Sequence, residues 1–60
     1  MRATQIQEHA RKLFDSLGDK ALAAAAQNAV QHEKHRDSKS ARDWRRIEAA
    51  LRHIRGPHAS

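Results

Sequence analysis

The chain has no cysteine, no tyrosine, one proline, two glycines, one tryptophan and one phenylalanine in 60 residues. Without cysteine there is no disulfide to constrain the unfolded state, and no thiolate to hold zinc or attack a substrate. With glycine only at positions 18 and 56, no glycine-rich loop can cradle a phosphate. The longest unbroken apolar run, Ala21 to Ala26, is mostly alanine and far shorter than the ~20 residues that cross a bilayer. No continuous apolar segment follows Met1, so a soluble, cytoplasmic chain without membrane insertion is expected. Ser16, Ser38, Ser40 and Ser60 have no histidine and carboxylate arranged around them, and three short helices leave little room for a water-excluding pocket. A non-enzymatic protein that needs no cofactor is the expectation.

What is present is positive charge. The net charge is +5 and the isoelectric point about 10.8, so an acidic partner is favoured: nucleic acid, an acidic protein or, third, an anionic lipid surface. A chain this short buries only about 60% of the surface it exposes when unfolded. Its core rarely supplies more than about 3–5 kcal/mol without a staple. Close helix packing, or a second copy in a homodimer, would have to make up the difference.

The stretch from Ser40 to Arg55 organises the rest. Ser40 and Asp43 have the spacing of a capping box, and Gly56-Pro57 is a stop signal. Between them Trp44, Ile47, Leu51 and Ile54 recur at steps of three and four, with Ala50 beside them, as one apolar stripe. Arg42, Arg45, Arg46, Arg52 and His53 fall on the opposite side around Ala49. Glu48 lies at the edge, within reach of Arg45 and Arg52.

Ahead of it, Ile6, Ala10, Leu13, Phe14 and Leu17 predict a helix over about 3–17, with Glu8 and Lys12 spaced for an i,i+4 ion pair. Gly18 ends that helix and Asp19 can cap the next, over about 20–35, whose inner face is read as Leu22, Ala25, Ala26, Ala29 and Val30. Alanine permits a close neighbour at little buried area per residue. Glu33 falls near the end of the same stripe, either where an arginine of the last helix could meet it or simply at an open end of the bundle. Residues 35–39, HRDSK, read as a loop. The expected fold is all-α, a small three-helix bundle with helices at about 3–17, 20–35 and 40–55. It forms one domain over 1–55 with a flexible tail at 56–60.

With the helices placed, Gly18-Asp19-x-Ala21, then Ala25 and Ala29, then Ala41-x-x-Trp44-x-x-Ile47-x-x-Ala50-Leu51 resembles a group of small, uncharacterised helical bacterial proteins. Those carry a G-D-x-A turn and a W-x-x-I-x-x-A-[IL] last helix. The resemblance spans about residues 10–54 and implies the fold and a bacterial cytosolic setting. It brings no activity, since its motif is made of turn and core residues, and the arginines of the last helix are additional to it.

Two constellations carry candidate chemistry. His32-Glu33-Lys34-His35 is one residue short of the H-E-x-x-H zinc signature and has no third ligand placed by sequence, so no metal site is assigned. The second is the basic face. Arg42, Arg45, Arg46 and Arg52, with Arg36 and Lys39 beside the helix start, can meet successive phosphates of a nucleic acid. No Asn or Gln on that face can read adenine, so weak sequence preference is expected. Trp44 and Phe14 lie on apolar stripes and are poor stacking platforms. The alternative is a protein–protein adaptor that homodimerises or docks on an acidic protein, with Trp44 as the anchor if it is exposed.

Overall fold

A computed structural model describes residues 2–55 as three α-helices: α1, Ala3–Leu17; α2, Lys20–Lys34; and α3, Ser38–Arg55. Among these residues there is no strand. The Gly56-Pro57 stop and the expected tail lie outside the described residues. The expected three-helix bundle is the fold found, and α3 packs against both other helices, most broadly against α2.

The first helix begins where expected. The Arg2 N–H donates to Gln5 Oε1 at 3.0 Å, so a side chain of the first turn reaches back to a backbone donor ahead of the helix. The start of α3 corrects the sequence reading. Ser40 is not its cap: the helix opens two residues earlier, and Asp37 takes that role. Asp37 Oδ1 accepts the Ser40 N–H at 3.2 Å, and Asp37 O accepts the Ala41 N–H at 2.9 Å. A carboxylate accepts that bond better than a hydroxyl and places negative charge at the positive end of the helix. Asp19, also read as a cap, has αR dihedrals and makes no side-chain cap bond. The first turn of α2 is held instead by the Ala21 N–H donating to Gly18 O at 3.0 Å.

The core consists mainly of alanine. Ala10, Ala21, Ala25, Ala29, Ala41 and Ala50 are buried, together with Ile6, Ile47 and Leu51. Among the described residues only Ile47 and Leu51 are large side chains with essentially no exposure. Leu13, Phe14, Leu22, Trp44 and Ile54 pack against this cluster while keeping part of their surface in water. Among the described residues no polar or charged residue is buried. α2 presents Ala21, Ala25 and Ala29 inward, a line rotated by about 60° from the face read off the sequence. Its inner face is thus lined by methyl groups, and β-branched Val30 is left at the rim, 38% exposed. Leu17, the last residue of α1, is likewise 43% exposed. Glu8 and Lys12 make no ion pair, both being exposed to competing water.

Each connection contains one residue at positive φ. Gly18 has φ 59 and ψ −132 and donates its N–H to Phe14 O at 2.7 Å. Arg36 has φ 57. Around it, the Asp37 N–H donates to His32 O at 2.8 Å and the Arg36 N–H to Glu33 O at 3.1 Å. These are the two hydrogen bonds of a Schellman motif, with Arg36 in the position that usually holds glycine. Asp37 closes α2 and opens α3 within a single residue.

Candidate nucleic-acid interface

Half of the chain's 12 lysines and arginines lie in α3. The core-facing stripe turns Ile47, Ala50 and Leu51 inward, so Lys39, Arg42, Arg45, Arg46 and Arg52 all face solvent, with Ala49 and His53 among them. Arg36 is exposed in the connection just ahead. The six predicted cations therefore share one side of the molecule, but they do not form one electrostatic unit.

Arg45 and Arg52 are already partnered. Arg45 Nε and Nη2 donate to the two carboxylate oxygens of Glu33 at 3.3 and 3.2 Å, and Nη1 donates to Glu48 Oε1 at 3.0 Å. Arg52 Nη2 donates to the other oxygen, Glu48 Oε2, at 3.0 Å. Glu48 bridges the two arginines and its side chain is only 12% exposed. The two-pronged contact with Glu33 joins α2 to α3, as its place on the α2 sequence suggested. These carboxylates raise the Arg45 pKa above its ordinary value, Glu33 hydrogen bonding being the largest cause and Glu48 the next. Salt bridges this exposed contribute little to stability. Their consequence here is that two of the predicted cations have their charge met within the chain.

Lys39, Arg42 and Arg46, and Arg36 ahead of them, make no salt bridge with any described residue. Positions 39, 42, 46, 49 and 53 follow steps of three and four, so they form one line along the helix. Positions 45, 48 and 52 form a second line about 100° away. Sequence reading merged the two because both lie opposite the core. The signal that separates them is the placement of Glu48 between Arg45 and Arg52.

Trp44 is half-buried against the core cluster, its ring edge-on to His9 of α1 with centroids 5.4 Å apart. It is a wedge between α1 and α3 more than a projecting anchor. His32 Nδ1 lies 3.2 Å from Asp37 Oδ2, and this pairing was not foreseen. His35 is the exposed C-cap of α2. Among the described residues no group of three or more histidines and carboxylates is placed to hold a metal ion, and no helix is long and apolar enough to cross a membrane.

No protein-family model matches the chain, and no similar curated protein or solved structure was found.

Proposed function

We propose that this chain is a small, basic, non-enzymatic interaction module of the bacterial cytoplasm. It binds a polyanion, nucleic acid first among the candidates, through the outer face of α3. The observation that carries this reading is the concentration of exposed cations on that one helix, in a chain whose net charge is +5. Counterion release drives such binding, which therefore weakens steeply with salt and reads sequence poorly. The direct test titrates labelled duplex DNA, single-stranded RNA and heparin by fluorescence anisotropy at low and near-physiological salt. Salt-sensitive binding that is lost when Arg42, Arg45, Arg46 and Arg52 are all replaced by Gln, in a chain that keeps its helical circular dichroism, supports the reading. No binding at low salt overturns it.

A second reading, docking on a protein or on its own copy, draws on the outer face of α2. From Ala21 to Gln31 the helix carries no charge, and Val30 is exposed there. Two chains of like charge would approach best along such a face. Sedimentation equilibrium over a range of concentrations tests it. Trp44 contributes less to this reading than its residue type suggested, because its ring is engaged with His9.

A further inference from the structure

Resting on that reading, we infer that the polyanion is double-stranded DNA and that only one of the two arginine lines on α3 meets it. The contact line is Lys39, Arg42 and Arg46, continued by Ala49 and His53. Arg45 and Arg52 are held back by Glu33 and Glu48.

Three observations lead there. First, the line is straight and rigid. Lys39 to Arg46 spans ~10 Å along α3, and the exposed line runs ~20 Å to His53. A fixed row of charges suits a stiff rod of phosphates, one per about 1.7 Å of duplex axis. A flexible single strand would have to be ordered along it phosphate by phosphate. Second, the compensation that single-strand binders use is missing, because their bases stack on exposed aromatic rings. Here Trp44 and Phe14 are both packed against the core, and neither lies on the line. Third, small side chains border the far end of the line, whereas Asp43 stands beside Lys39, Arg42 and Arg46 at its near end. Ala49 and Ala3 flank an open groove between the start of α1 and the end of α3, which Arg46 and His53 also line. The helix backbone can thus come close to a groove edge. The major groove of B-form DNA, about 12 Å wide, admits an α-helix, whereas that of double-stranded RNA does not.

The two lines make different quantitative predictions. Three phosphates neutralised give a slope of log affinity against log salt of about −3, Arg36 joining the line would bring it to about −3.6, and all six basic residues would give about −5. The experiment measures that slope for a DNA duplex, for one of its strands alone and for heparin. The unaltered chain and four variants are compared, each variant checked for unchanged helicity. Arg42→Gln with Arg46→Gln should lower duplex affinity and flatten the slope by about 2. Arg11→Gln with Lys12→Gln makes the same net-charge change on α1 and should leave the slope unaltered. Arg45→Gln with Glu33→Gln removes an ion pair at constant net charge and should also leave it unaltered. Glu48→Gln should steepen it by about 1, because Arg52 loses its carboxylate.

The expected result is duplex bound more tightly than the single strand or heparin, with that order of slopes. A single strand bound as tightly as the duplex overturns the duplex assignment and leaves the polyanion reading standing. A slope near −5 that flattens in the Arg45 and Glu33 variant overturns the division into two lines. Equal losses from the α1 and α3 double variants reduce the effect to net charge and overturn the site. No binding of duplex, strand or heparin at low salt removes the underlying reading itself.

Discussion

The two connections of this bundle solve the same geometric problem with different chemistry. Between α1 and α2 the chain reverses at Gly18, with φ 59 and ψ −132. Between α2 and α3 it reverses at Arg36, with φ 57. At Gly18 the residue type matches the backbone, because a Cβ disfavours that region. At Arg36 an L side chain is held in a left-handed conformation, and the surrounding hydrogen bonds hold it there: the two Schellman bonds behind it and the Asp37 cap ahead. One turn is specified by a residue, the other by its neighbours. It follows that the first should fail when its own residue changes and the second when its neighbour does.

Gly18→Ala is the largest expected effect. No heavy atom lies within 4 Å of where its Cβ would be, so nothing outside the backbone resists the substitution. The whole cost is dihedral strain, about 1–3 kcal/mol, a large share of what a core of this size supplies. Thermal melts of wild type and variant give the difference. D-alanine at the same position, introduced by chemical synthesis, sharpens the point. Its mirror-image dihedrals fall in a region open to every residue, so it should not destabilise the fold. If both isomers cost the same, the strain explanation is wrong.

Asp37→Ala comes next and removes the neighbour's contribution at the second turn. The melting temperature should fall by about 5 °C, the usual scale for losing a helix cap in a domain this small. The pH dependence carries a definite sign. The backbone N–H of Ser40 is the main cause that holds the Asp37 carboxyl below the ordinary aspartate value of 3.8, helped by the Ser40 hydroxyl and by His32. Its contribution to stability is therefore complete above that value and is lost as pH falls through the lower, folded one. Asp37→Asn keeps an acceptor without a proton to gain. Melts carried down through this window should show wild type losing an increment that the Asn variant does not lose. Parallel acid profiles would mean that Asp37 contributes nothing through its charge.

The same contrast explains what could be read from the sequence. Helix number and order were legible because Ile6, Ala10, Ile47 and Leu51 keep helical spacing and Gly18 marks a break by type alone. The second break was blurred by two residues because Asp37 and Ser40 are both good caps by type. Only the folded chain shows which one accepts the bond. The inner face of α2 was misplaced by about 60° for a related reason. Six consecutive apolar positions, Ala21 to Ala26, carry too little contrast to fix a rotation, and the packed fold settles it by burying Ala21, Ala25 and Ala29 and leaving Val30 outside. On α3 the basic residues were legible as a set. The reach of Glu48 to Arg45 and Arg52 was legible too, but not which arginine of α3 meets Glu33, because that pairing joins Arg45 to a residue twelve positions earlier on another helix.

The smallest expected effect runs the opposite way. Arg36→Gly should stabilise the protein, because it removes a left-handed L residue that costs about 1–2 kcal/mol. Glycine returns part of that through the greater freedom of the unfolded chain, about 0.4–1 kcal/mol. The net gain of about 0.5–1 kcal/mol should raise the melting temperature by about 3–6 °C. Arg36→Asn, which tolerates the same conformation, should lie between glycine and wild type. A melting temperature that stays level or falls in the glycine variant would mean that the Arg36 side chain contributes to stability, against the absence of any ion pair to it among the described residues. That the chain keeps arginine at a position where glycine would fit better is itself informative. Arg36 stands at the entrance to α3, ahead of Lys39 and Arg42, and lines the same surface recess as Arg42 and Arg45. Under the polyanion reading we propose, a cation at this recess serves the binding face, whereas the turn itself has no use for it.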